Sequence, residues 1–147
     1  MRRSRTGSDA RLFRAFAPHD FTSSLAYFIG FRDWAYRRRA VELLGLAKGD
    51  RVVELGCGTG RNFTLLERAV GPAGAVVAVD LSEAMLARAR KRADRHGWSN
   101  VELVHSDVAT YVYPAPVDGV LSTYTLMVLP EYDRVIERAC GALKDGK

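Results

Sequence analysis

Cysteine is scarce in this sequence, with two residues, Cys57 and Cys140, far apart in the chain. There is no CxxC pair and no His/Cys cluster. A disulfide framework and a thiolate metal site are thereby excluded as organising devices, so reduced thiols and no metal are expected. Long apolar runs are also lacking. No stretch approaches the roughly 18 residues that span a bilayer. No apolar segment of signal-peptide length follows the basic start MRRSRTGSDA. The chain reads as cytoplasmic. Internal repeats and low-complexity tracts are missing too, which removes solenoid and fibrous classes.

Acidic excess is the last absence. Net charge is +5, and it is unevenly placed. Residues 1–40 carry nine Arg against three acids, whereas residues 41–147 are close to neutral. A nucleic-acid binder would more often carry its charge on a folded face, so no nucleic-acid partner is expected.

What is present suits one globular domain: 147 residues, 48% hydrophobic and 27% charged. Residues 1–31 form a basic and aromatic N-terminal segment, read as a lid or a disordered start. Within it Arg11, Phe13, Arg14, Phe16, Phe21, Tyr27, Phe28 and Phe31 interleave the two characters. Residues 32–147 form the folded domain. Asp33 reads as the N-cap of a helix through Leu44, closed by Gly45, with Trp34, Val41 and Leu44 on one face.

From Arg51 the pattern becomes strand, turn, helix, repeated. Strands are expected at Arg51–Leu55, Ala75–Val79, Val101–His105 and Gly119–Ser122, the last starting near Val117. Helices are expected at Asn62–Ala69, Ser82–His96 and Glu131–Leu143. Ser82 has the chemistry of an N-cap, Glu83 suits a first turn and Gly97 suits an end. The arginine-rich run Arg88, Arg90, Lys91, Arg92, Arg95 reads as a solvated helix face. Strands alternating with helices imply an α/β fold: a Rossmann-like, doubly wound parallel sheet covered on both faces. A ligand then lies beyond the carboxyl ends of the strands. The turns after Leu55, Val79, His105 and Ser122 should meet there.

The strongest motif is Val52-Val53-Glu54-Leu55-Gly56-Cys57-Gly58-Thr59-Gly60. Glycines at a strand-to-helix turn let backbone approach a ligand closely. Asp80 ends the next strand and suits hydrogen bonds from ribose hydroxyls. Dinucleotide enzymes share a turn of this kind, but their fingerprint has a third glycine where this chain has Arg61. Glu54 would repel a pyrophosphate and suits a ligand bearing an ammonium and a sulfonium.

These segments resemble the class I S-adenosylmethionine-dependent methyltransferases. Val53–Gly60 resembles the first family motif, Val77–Leu86 the second, Ser106-Asp107-Val108 the third and Asp118–Leu129 the fourth. The resemblance covers roughly residues 30–147 and implies S-adenosyl-L-methionine as cofactor. Glu54, Gly56, Gly58 and Gly60 would line its methionine part. Asp80 would hold the ribose, with Leu81 and Met85 near the adenine, or with Met85 simply in the core. Asp107 would accept from the adenine amino group, beside Val108, or cap a short turn. Ser122 to Tyr124 would lie near the sulfonium. Transfer to a positioned nucleophile is an in-line displacement, so no catalytic base is assigned.

Gly30–Arg38 is similar to the segment before the first motif in quinone-biosynthesis methyltransferases and in bacterial phospholipid N-methyltransferases. Phe31 stands where that segment has histidine. The implied acceptor is a small molecule or lipid-linked, and the N-terminus would suit peripheral membrane contact or a lid. The family sheet has seven strands in the order 3-2-1-4-5-7-6. By that resemblance the chain is truncated after its fourth strand and following helix. The uncharged run from Val120 to Leu129 would then leave an unprotected strand edge, prone to self-association. Binding without turnover, as a cofactor-binding fragment, is the alternative function. A dinucleotide-dependent oxidoreductase is the less favoured one.

Overall fold

The computed structural model describes residues 24–114 and 116–146. Most of the expected N-terminal segment, residues 1–23, lies outside the described residues. Four helices, α1 (Ser24–Leu43), α2 (Phe63–Val70), α3 (Glu83–His96) and α4 (Tyr132–Ala142), accompany four strands, with a helix between each successive pair except the third and fourth strands. The strands are β1 (Arg51–Leu55), β2 (Ala75–Asp80), β3 (Val101–His105) and β4 (Gly119–Leu121). They form one parallel sheet in the order β3-β2-β1-β4.

Parallel neighbours need long crossovers, and here the helices supply them. Side chains alternate across the strands and feed two cores. Val52, Val76 and Ala78 pack with Phe63, Leu66 and Val70 of α2, Ala89 and Ala93 of α3, and Val41 of α1. On the opposite face Val53, Leu55, Val77 and Val79 pack with Tyr111, Val117 and Val135 of α4. The sheet is therefore covered on both sides, as the uninterrupted apolar strands predict. Each fully buried Val, Leu or Phe contributes about 1.5–3 kcal/mol of transfer free energy.

Local signals explain the helix ends. The Ser82 hydroxyl accepts from the Met85 N–H, and Gly97 closes α3 by donating to the carbonyls of Ala93 and Asp94. Gly71 ends α2 in the same role, donating to Glu67.

Three expectations are corrected. First, α1 begins at Ser24, so Asp33 lies in mid-helix and caps nothing. Its carboxylate instead accepts from Arg37, one turn on. Second, Trp34 does not share the core with Val41. Its exposure is 50%, and its ring lies 5.7 Å from the Arg38 guanidinium. The core is met by the C-terminal part of α1, through Ala40, Val41 and Leu44 beyond it. Third, the fourth strand does not run on to Leu129. It ends at Leu121; Tyr124 adopts φ 65°, and Leu126–Val128 form a 3-10 turn. Hydroxyls supply the physical reason. Ser122 Oγ donates to the Leu55 carbonyl and Thr125 Oγ1 to the Gly56 carbonyl. These side chains bend the segment back over β1 rather than along the sheet.

Beyond β4 the chain returns. Val117 donates to the Ala142 carbonyl (2.8 Å) and accepts from the Lys144 N–H (2.9 Å), placing Leu143 parallel to Val117. The segment after α4 thus pairs with the chain just ahead of β4.

Candidate functional site

The four turns at the carboxyl ends of the strands are tied to one another by hydrogen bonds. Gly56 and Cys57 N–H groups donate to the Val79 carbonyl at 2.8 and 3.0 Å. Ser106 N–H donates to the Asp80 carbonyl (3.1 Å), binding the β3 turn to the end of β2. Ser122 ties the end of β4 to Leu55. The predicted convergence of turns is what the fold delivers.

Gly56, Gly58 and Gly60 all have positive φ, at 73°, 55° and 75°. Two physical constraints operate separately here. A side chain at Gly56 would overlap that of Thr125, whereas Gly58 has nothing within 4 Å and needs glycine for its backbone conformation alone.

Asp80 is 8% exposed. Its Oδ2 accepts from Gly58 N–H at 2.8 Å and its Oδ1 from Ser82 N–H at 2.9 Å. Leu81 and Met85 follow at the start of α3, both partly exposed. Asp107 lies past β3, and its Oδ1 accepts from Ala109 N–H at 2.8 Å, which is the turn-capping role. Val108 packs against the second core.

Glu54 departs most from an open ligand-lining position. It is 1% exposed. Its Oε1 accepts from Asn62 Nδ2 at 2.6 Å, while its Oε2 is buried with no hydrogen-bond partner among the described residues. Burial pushes its pKa up to about 8, opposed by the Asn62 hydrogen bond and the Arg37 charge and assisted by Asp80. The adjacent Cys57 thiol is likewise raised, by burial first and then by Glu54 and Asp80, so it is not a reactive thiolate at neutral pH.

Two residues of this network, Asn62 and Arg37, were not singled out as site residues from sequence. Asn62 links Glu54 to Thr123, with Nδ2 donating to Thr123 Oγ1 at 3.0 Å. Arg37 reaches Asn62 and Thr123 from α1, and Arg61 pairs with Asp33 at 3.2 Å. The one signal available was the Asp33–Arg37 spacing, which suits an i,i+4 ion pair. Arg92 also leaves the solvated face expected for its run, donating to the Thr59 carbonyl at 3.1 Å.

Residues 52–146 match the family model described as a methyltransferase domain. The chain belongs to that family. This methyltransferase domain is similar to an aklanonic acid methyltransferase from Streptomyces sp. (strain C5), 32% identical over 110 residues. That match covers 74% of this chain and 50% of the relative. It is also similar to a demethylmenaquinone methyltransferase from Listeria welshimeri, 28% identical over 138 residues, covering 92% of this chain and 58% of the relative. A solved SAM dependent methyltransferase from Aquifex aeolicus superposes with TM-score 0.66 at 28% identity, covering 74% of this chain and 58% of that one. The methyltransferase domain thus spans about half the length of the curated relatives it matches.

Proposed function

We propose that this chain binds S-adenosyl-L-methionine and forms the cofactor-holding part of a methyltransferase acting on a small-molecule or lipid-linked acceptor. The observation that carries the reading is the pairing of two buried acids with a positive-φ glycine turn. Glu54 keeps an unpartnered oxygen beneath that turn, and Asp80 closes its far side. The residues fit the group. A buried carboxyl lacking a donor favours a cationic ligand, and a turn without Cβ atoms admits close backbone approach.

In this reading Glu54, Gly56, Gly58 and Gly60 surround the methionine part and Asp80 takes the ribose hydroxyls. Leu81, Met85 and Val108 flank the adenine, Asp107 accepts from its amino group, and Ser122 lies near the sulfonium. When bound, the cofactor supplies a methyl already activated on sulfur, for in-line displacement by the acceptor. The protein's share is then orientation and exclusion of water.

A quinone-like or polyketide-like acceptor is supported by what the relatives are called, demethylmenaquinone and aklanonic acid methyltransferases. The basic, aromatic N-terminus supports a cytoplasmic protein touching a membrane surface or covering the site as a lid. No helix among the described residues is long and apolar enough to cross a membrane. A second reading, binding without turnover by these 147 residues, is favoured by the share of the relatives' length that they span.

Calorimetry against S-adenosylmethionine and against NAD tests the cofactor. Binding of the first alone is the expected result, and binding of NAD alone overturns it. Turnover with quinol and aminolipid acceptors then separates the two readings.

A further inference from the structure

We infer that Arg37 is a positioning residue of the cofactor site: reaching in from α1, it orients Asn62 and Thr123 and, through Asn62, presents Glu54. The inference rests on the cofactor reading above and deepens it.

Arg37 joins three stretches that are distant in sequence. Its Nε donates to both oxygens of Asp33, at 2.9 and 3.0 Å, which fixes the direction of the guanidinium. Its Nη1 then donates to Asn62 Oδ1 at 3.1 Å and to Thr123 Oγ1 at 2.9 Å. The plane also lies over the Tyr124 ring, 5.1 Å from its centroid. The side chain is 13% exposed, so these bonds are shielded from water.

The chemistry of the amide makes this arrangement directional. A guanidinium has donors and no acceptor, so whatever faces it must present an oxygen. Asn62 therefore turns Oδ1 to Arg37 and its NH2 the other way, to Glu54 Oε1 at 2.6 Å and Thr123 Oγ1 at 3.0 Å. That bond occupies one carboxyl oxygen of Glu54 and leaves Oε2 as the free one. Removing Arg37 removes the constraint that holds the amide in this sense. It also removes the one positive charge found acting on Glu54 among the described residues, leaving Asp80 to oppose its ionisation. The groups around the carboxyl are Arg37 from α1, Asn62 ahead of α2, Asp80 at the end of β2, and the Cys57 thiol in the glycine turn. Lysine would keep the charge but not the planar fork that reaches Asp33, Asn62 and Thr123 together.

Two readouts test this on the whole chain. The first follows the Asn62 side-chain NH2 by 15N NMR as a function of pH without cofactor, since that group reports ionisation of Glu54. The second is the calorimetric Kd for S-adenosylmethionine, with thermal melting as a control. Arg37→Ala should move the titration midpoint to higher pH and weaken binding tenfold or more. Arg37→Lys should return most of the midpoint shift but recover little of the affinity. A folded Arg37→Ala chain with unchanged midpoint and unchanged Kd overturns the inference, even if its melting temperature falls. If Arg37→Ala does not fold, Arg37→Lys decides: wild-type affinity in that variant overturns it. A wild-type chain that ignores S-adenosylmethionine, while Arg37→Ala still shifts the midpoint, removes the cofactor reading and leaves the positioning of Glu54 standing.

Discussion

The two sides of the sheet's central strand are built differently. Towards β2, β1 pairs along five residues, and β2 continues into five further pairs with β3. Towards β4 it pairs over three. The helices follow the same division. Helix α2 buries Phe63, Leu66 and Val70 and α3 buries Leu86, Ala89 and Ala93, but α4 buries Val135 alone. On α4 and in the turn before it, Tyr132, Ile136, Met127 and Val128 are large apolar side chains left exposed. The glycine turn therefore stands on the side with the longer pairing and the more deeply buried helices. The β4 side supplies polar ties to that turn while its own apolar surface is exposed among the described residues.

Substitutions should separate the two sides by size of effect. Phe63→Ala removes a fully buried ring from the packed side and should cost about 3–5 kcal/mol in denaturant unfolding. Gly56→Ala strikes the junction between the sides. It should cost about 1–3 kcal/mol from overlap with Thr125, with about 1–2 kcal/mol more from its positive φ. Gly58→Ala should show the backbone cost without the overlap, so the two variants measured together isolate the contact across to the β4 side.

Asp80→Ala should weaken S-adenosylmethionine binding by about 1–3 kcal/mol, the scale for hydrogen bonds to a charged group; calorimetry on the folded variant is the check. Glu54 gives a pH signature confined to the packed side. The folded chain keeps its proton up to about pH 8, whereas an unfolded carboxyl releases it near its ordinary value of 4.5. Folding therefore takes up a proton in that window, and stability falls as pH rises through it. Glu54→Gln should flatten that fall, and parallel curves for the two chains would refute the assignment. The smallest effect belongs to the exposed side. Met127→Ser with Ile136→Ser should change stability by no more than about 0.5 kcal/mol. If the uncovered surface drives self-association, the pair should nonetheless lower the mass seen by light scattering.

The same division governs what could be read from sequence. The first three strands, Ser82 as a cap and Gly97 as a stop were legible because local chemistry and burial agree there. Asp33 misled because its capping chemistry is real, but the residues before it carry the helix on and Arg37 offers the carboxylate a partner. The run after Leu121 misled because its apolar residues suit a strand, while Ser122 and Thr125 carry the hydroxyls that turn it. The glycine turn and Asp80 were visible as a motif. Arg37 and Asn62 were not, because the contacts of Arg37 with Asn62 and with Thr123 span 25 and 86 residues of chain and are created by the fold alone.

The Asp80 carboxylate holds one amide from the β1 turn and another from the turn ahead of α3. It behaves as a staple between two loops, with one carboxylate oxygen given to each. The Gly58 and Ser82 amides should exchange with solvent deuterium at matched rates, as one cooperative unit. A ligand that draws this carboxylate towards itself would loosen or tighten both loops in a single step, and Asp80→Asn should let the two rates diverge.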